Sequence, residues 1–212
     1  MLFRSDDVLA GDTDDVFMFD GAIVDAGSGD ISISADGDIR LGQVVTTSSL
    51  STALTLTTTS GAIVDGGDTD TDIVVNTGTV TIDAVAGIGS GDALETSIGT
   101  LDADNTLTGL IELSETDGLT ISHINQGSTK GITVSAGGDV LVNGTGITLS
   151  GTTTDTSADI QLTTTAGDID VQSAIANQNL SSSADVTLSA GGATSDISVS
   201  SSLTGNGAMS LL

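Results

Sequence analysis

Asp68, Asp70 and Asp72 alternate with threonine in the stretch Gly66-Gly67-Asp68-Thr69-Asp70-Thr71-Asp72, and they suit one chemical task above others. Hard cations such as calcium gather several oxygens, and alternating aspartates supply three carboxylates within a short loop. The glycine after the third Asp and the later Glu of a helix-loop-helix calcium site are missing, as is the Gly-Gly-x-Gly-x-Asp calcium repeat. Two readings stay open: a calcium site on Asp68, Asp70 and Asp72, or a solvated acidic turn. Asp12-Thr13-Asp14-Asp15 and Asp102-Ala103-Asp104-Asn105 repeat the theme with weaker ligand patterns. No cofactor is required by either reading, and calcium is the one ion whose ligands are present.

Other chemistry finds less support. The chain has a single histidine, His123, and no cysteine, so thiolate sites and sites built on several histidines are excluded. A triad through Ser122-His123-Ile124 is formally available, but a lone histidine in an alternating strand reads as a polar surface position. Solenoid enzymes acting on polysaccharides use paired carboxylates, or Asp with Arg and Lys. No such motif joins Arg4, Arg40 or Lys130 to the Asp clusters, and the absence of Trp and Tyr removes the usual sugar-stacking platforms. Catalysis is not expected.

With 29 acidic residues against three basic ones, the formal net charge is -26. Nucleic acids and anionic membranes both need clustered Lys or Arg, so neither is an expected partner. Such a charge also raises the question of disorder. A hydrophobic content of 37%, placed at regular intervals, argues for a folded chain instead. No apolar run reaches the ~18 residues of a membrane-spanning helix.

The elements that must position these residues are β-strands. Ile31/Ile33, Ile39/Leu41, Leu54/Leu56, Ile73/Val75, Ile111/Leu113 and Val140/Val142 each bracket one residue, mostly a polar one. Alternation sends the aliphatics to one face and Ser, Thr or Asp to the other. No stretch shows helical spacing, and Gly-Gly, Asp-Gly and Asn-Gly supply turns between strands. One phrase recurs: Asp followed by aliphatic-x-aliphatic, at Asp30, Asp38, Asp72, Asp139, Asp159, Asp168, Asp185 and Asp196.

The spacing of the phrase separates a solenoid from an antiparallel sandwich. Ile132, Ile160 and Val186 begin equivalent strands, as do Val140, Ile169 and Ile197, and Ile147, Ile175 and Leu203, and the three sets share nearly one interval. Three strands per interval describe a three-sided coil stacked on its copies, a parallel β-helix. The expectation is an all-β chain, one solenoid over residues 1–212, with coils of about 28 residues in the C-terminal half. The N-terminal half is less regular. There Gly21-Ala22-Ile23-Val24-Asp25 returns as Gly61-Ala62-Ile63-Val64-Asp65, an offset that does not equal one of the later intervals. Gly87 to Thr108 predicts a loop or distorted coil. Residues 1–20 carry Phe3, Phe17 and Phe19 and read as an edge, or as the junction to a preceding segment of a longer chain.

The stretches Gly29-Asp30-Ile31-Ser32-Ile33, Gly167-Asp168-Ile169-Asp170-Val171 and Ser183-Ala184-Asp185-Val186-Thr187-Leu188-Ser189-Ala190-Gly191-Gly192 resemble the haemagglutinin-type repeats of large bacterial surface adhesins. The resemblance covers most of the chain from Gly21. It implies a right-handed β-helical shaft at the bacterial cell surface, outside the cell, with further coils of the same chain as partners. The Asn-Pro motifs of that family's secretion domain are missing, since the chain has no proline. The resulting expectation is a structural stalk. The alternative is a solenoid binding carbohydrate or ice through outward Thr and Asp, on runs such as Thr55/Thr57/Thr59, Thr77/Thr79/Thr81, Thr152/Thr154/Thr156 and Thr163/Thr165.

Stacked coils would put Asp159 over Asp185, and Asp139 near Asp168 and Asp196. Carboxylates ~4.8 Å apart repel by about 0.9 kcal/mol in water. The melting temperature is therefore expected to rise with NaCl between about 0.05 and 1 M, as the screening length falls from about 14 to 3 Å, and with calcium. Flat stability across that range, followed by circular dichroism, would remove the stacked-carboxylate account.

Overall fold

The computed structural model describes residues 1–5, 14–67, 69–151 and 154–212, with the side chains of residues 3–5 excepted. Among them the regular structure is all strand, every inter-strand pairing is parallel, and no helix occurs. Each strand pairs with its equivalent one coil before and one coil after, and three such ladders form the walls of a β-solenoid of about eight turns.

The first wall runs from Val16–Phe17 through Ile39–Arg40 and Ile63–Val64 to a single bridge at Ile88. It continues through Ile111–Glu115, Ile132–Ala136, Ile160–Thr164 and Val186–Ala190 to Met209–Leu211. The second wall holds Ile23–Asp25 and Gln43–Val45 at one end, and Ile169–Val171 and Ile197–Val199 at the other. The third holds Leu2–Ser5, Ile31–Ala35 and Leu54–Thr58, then ends on Ile175–Asn177 and Leu203–Thr204. In the middle coils the strands Ile73–Ala84, Leu94–Asn105, Leu119–Gln126 and Val140–Leu149 turn the corner from second wall to third without a break, and Leu94–Asn105 already begins on the first wall, against Leu113–Glu115. Register shifts at Ile98/Thr100, Leu101/Asp102 and Ile121/His123 mark the bend.

Alternation produces the core directly. Ile31, Ile33, Leu54, Leu56, Val140, Val142, Ile160 and Leu162 all point inward and are buried. Each such aliphatic gains roughly 1.5–3 kcal/mol from leaving water. The three C-terminal columns stack as the spacing predicts: Ile132 on Ile160 on Val186, Val140 on Ile169 on Ile197, and Ile147 on Ile175 on Leu203. They also extend upstream to Ile111, Leu119 and Ile124, and the coil from Ile111 to Ile132 is shorter than those that follow it.

Two N-terminal expectations are corrected. Ile63 lies on the first wall and is fully buried, whereas Ile23 lies on the second and is 63% exposed. The shared phrase therefore occupies two different sides of the solenoid. Within Gly87 to Thr108 only residues 89–93 leave the coil, where Gly89 and Gly91 adopt φ of 61° and 93°. From Leu94 to Asn105 the chain is one long strand in register with Ile73–Ala84. Within residues 1–20, Leu2–Ser5 pairs with the third-wall strand Ile31–Ala35. Phe17 and Phe19 stand outward, edge to face at 4.9 Å.

The recurring Gly-Asp-aliphatic phrase has a structural reason at both polar positions. A Cβ on Gly167 would lie 2.2 Å from the backbone carbon of Gly138, one coil earlier, so any side chain there collides with main chain. The next residue, Asp168, donates its backbone N–H to the Asp139 carboxylate at 2.9 Å, and its own carboxylate accepts the Asp196 N–H at 2.8 Å. The Asp185 N–H bonds Asp159 at 2.9 Å, and Asp185 bonds the Ala208 N–H at 2.6 Å. At the N-terminal end the Asp38 N–H bonds Asp15 at 2.7 Å, and Asp38 bonds the Ala62 N–H at 2.8 Å. Each carboxylate thus supplies the partner for a backbone N–H that begins the strand above it. Asp30 departs from the pattern: its carboxylate accepts the Ser48 hydroxyl at 2.6 Å.

Asp168→Ala removes one such bond and is expected to cost about 1 kcal/mol, as for a lost helix cap. Asp170→Ala, two residues on and outward-facing, is expected to stay within about 0.5 kcal/mol. Urea unfolding followed by circular dichroism compares them; equal costs would deny the cap its role.

Candidate functional site

Of the three aspartates predicted to hold calcium, Asp68 lies outside the described residues, Asp70 is exposed and Asp72 is buried. Asp72 begins a second-wall strand and turns away from the acidic loop. Its carboxylate accepts the Glu95 N–H at 3.0 Å, continuing the coil-to-coil capping described above. Burial pushes its pKa up to about 8, opposed by the Glu95 N–H and assisted by the neighbouring carboxylates of Asp65 and Glu95. Two groups of three potential ligands converge among the described residues, Asp65-Asp72-Glu95 and Asp102-Asp104-His123. Neither contains Asp70. Of the loop's aspartates only Asp72 belongs to either group, and Asp68 lies outside the residues described.

The second group stands on the outer face of the third wall, where the register brings Thr81, Asp102 and His123 into one row and Asp83, Asp104 and Asn125 into the next. His123 Nε2 lies 3.4 Å from Asp104, and its Nδ1 lies 2.6 Å from the Thr145 hydroxyl. Asn125 donates to the other Asp104 oxygen at 2.9 Å. Burial first, then the charges of Asp104 and Asp102, holds Asp83 above the ordinary carboxylate range. Ser122 does not join its neighbour: its hydroxyl donates to the Leu101 carbonyl at 2.7 Å. The Ser122-His123 pairing considered from sequence is not formed, and Thr145 takes that place beside the imidazole.

Buried polar side chains also occupy the interior, and alternation alone does not single them out. Asn105 and Gln126 sit one above the other at the corner after the third wall, joined at 2.7 Å through Asn105 Nδ2 and Gln126 Oε1. Asn105 also donates to the Thr108 carbonyl at 2.7 Å, and Gln126 to the Gly109 and Gly131 carbonyls at 3.2 Å. Their amides satisfy backbone of the turns that follow. The legible signal is a polar residue at an inward position, two residues after Ala103 and Ile124 respectively.

Glu115 is a further inward acid, on the first wall at the level that Ala136 fills one coil later. It accepts the Thr96 hydroxyl at 2.7 Å, the Ile98 N–H at 3.1 Å and the Asp117 N–H at 3.3 Å. Burial still dominates and pushes its pKa up to about 7.

The threonine runs do not build one flat array. Thr55 stacks on Ser32 and Thr81, but Thr57 stacks on Ser34 and Asp83. In the next coil both rows carry aspartate, Asp102 and Asp104. Thr163 lies between Ser135 and Ser189, while residues 152 and 153 lie outside the described set. The fold class is therefore a parallel β-solenoid with acidic outer walls. No family model, curated protein or solved structure matches the chain.

Glu115 carries a pH signature. Its folded pKa lies above its unfolded value, so the folded state holds the extra proton between about pH 4.5 and 7. That contribution to stability is complete below the unfolded pKa and is lost as pH rises through the folded one. At constant ionic strength the urea midpoint is expected to fall across this window, and Glu115→Gln to shrink the fall. An unchanged pH slope in the variant would show that Glu115 does not titrate in this way.

Proposed function

We propose that the chain is a structural shaft segment of an extracellular bacterial adhesin or surface fibre, with no catalytic role. One observation carries the reading: parallel pairing continues from coil to coil on three walls, from the first described strands to the last. Continuous pairing of this kind resists bending and compression, because each coil is held by backbone hydrogen bonds and a shared apolar interior. At ~4.8 Å per coil, eight coils span about 40 Å. The acidic surface keeps such a rod soluble and separates it from anionic membranes. Val199, Met209 and Leu211 are exposed on the final coil, at 39%, 38% and 51%, and further coils of the same chain would cover them. The haemagglutinin-type likeness in Gly167–Val171 and Ser183–Gly192 supports the bacterial cell surface as the setting.

The test uses the whole chain. Small-angle scattering is expected to give a rod cross-section, and a glycan array and an ice-shaping assay are expected to give no specific signal. Saturable binding of one glycan class, or faceted ice growth, would overturn the spacer reading and make an outer wall the functional surface.

A further inference from the structure

We propose that Asp65, Asp72 and Glu95 bind one calcium-class dication at the corner between the first and second walls. The argument begins with Asp65. Ile63 points inward, so alternation points Asp65 inward as well. The residue beneath it in register is Leu41, one beyond the Arg40–Val64 pair, and Leu41 is fully buried. A carboxylate thus occupies a level that the preceding coil fills with leucine. Asp65 is only 4% exposed, and neither of its carboxylate oxygens accepts a hydrogen bond from a described residue. A buried ionised group without a partner is among the costliest features a fold can hold, and a bound cation removes that cost.

The surroundings suit a cation by geometry and by chemistry. Ligand oxygens of Asp65, Asp72 and Glu95 all lie within 4.8 Å of one another. Oxygens around one calcium, at about 2.3–2.6 Å each, lie no more than about 5 Å apart, and the set meets that limit. Magnesium holds its waters more tightly and is seldom bound by all-protein carboxylate cages, so it suits this buried set less well. The ligands are carboxylates alone, which disfavours zinc and copper. The Glu95 N–H bond to Asp72 Oδ2, at 3.0 Å, fixes one ligand relative to the next coil. A cleft of about 90 Å³ with Asp20 and Asp70 among its lining residues borders the set at Asp72.

The basic side chains of this chain are engaged elsewhere or lie outside the described set. Lys130 pairs with Asp155 at 2.9 Å, and Arg40 donates to the Gly66 carbonyl with its guanidinium 5.4 Å from the Phe17 ring centre. The Arg4 side chain is not among those described. The competing arrangement is a proton shared between Asp65 and Asp72, whose carboxyls approach within hydrogen-bonding reach.

Calcium chloride titrated into the EDTA-stripped full chain, by calorimetry in about 0.15 M NaCl, distinguishes these. The expected result is one saturable site per chain, with a melting temperature that rises as the site fills. Asp65→Asn and Glu95→Gln should each weaken binding at least about tenfold, because each removes one charged ligand. Asp92→Asn, which deletes an equal charge at an exposed position of the 89–93 segment, should leave binding unchanged. Should Asp65→Asn fail to fold by circular dichroism, Glu95→Gln decides, since that side chain is only half-buried. Absence of a saturable site in the parent chain would overturn the proposal in favour of the shared proton. Equal weakening by Asp92→Asn would overturn it in favour of diffuse counterion attraction. Either outcome leaves the shaft reading intact.

Discussion

Everything in this solenoid depends on main chain stacked directly on main chain. Parallel ladders carry backbone bonds from coil to coil, but at corners the ladder lapses and N–H groups need other partners. Aspartate at the first position of the phrase supplies them. Asp139, Asp168, Asp159, Asp185, Asp15 and Asp38 each accept the N–H of the residue one coil above. Glycine just before Asp168 is the other half of the solution at that corner, because at Gly167 the neighbouring backbone leaves no space for a Cβ, while Ala158 and Ala184 hold the same place before Asp159 and Asp185. The phrase is a corner fitting, and the aliphatics after it begin the next wall.

That fitting sets the electrostatic character of the molecule. Each capping carboxylate accepts a backbone N–H from the coil above, and each coil adds more of them to the same column. Attraction along the column is local and directional, while repulsion between columns is long-ranged and yields to salt. A chain with net charge -26 can hold such a structure because its apolar interior is continuous, from Ile31 on the third wall to Leu188 on the first. Acids that turn inward belong to a different regime. Glu115 is compensated by three donors, whereas Asp65 has none among the described residues.

Legibility in the sequence follows coil length. In the C-terminal half, the first-wall coils measured at Ile132, Ile160 and Val186 are nearly equal in length, so three columns emerge from spacing alone. Upstream the same wall advances in shorter steps, from Val16 to Ile39 and from Ile39 to Ile63. No common interval joins the halves, so the continuity of Ile111 with Ile132 is not visible in the spacing. The Gly21 and Gly61 phrases mislead because a corner of any wall can use the same local solution. Local chemistry identifies a corner without saying which corner it is. The acidic loop is legible as a place of interest, but its partners are not: Asp65 and Glu95 meet Asp72 only through the fold. Alternation from Ile63 already marks Asp65 as inward, and that one inconsistency is the available clue.

Variation in coil length has a further consequence for where specialised chemistry can arise. The walls tolerate little change, since each inward side chain is packed above and below. Corners absorb the difference between the short coil from Ile111 to Ile132 and the longer one from Ile132 to Ile160. Residues 89–93 are an exception: they leave the coil within the first wall, between Ile88 and Leu94, which keep their places against Ile111 and Leu113 of one strand. Several unusual polar groups do sit at corners, Asn105 and Gln126 at one and Asp72 and Glu95 at another, while Glu115 lies on the first wall. The solenoid thus carries its continuity in the walls, while most of its departures from regularity gather at the turns. Corners can vary in length and polarity while the ladders between them keep their spacing.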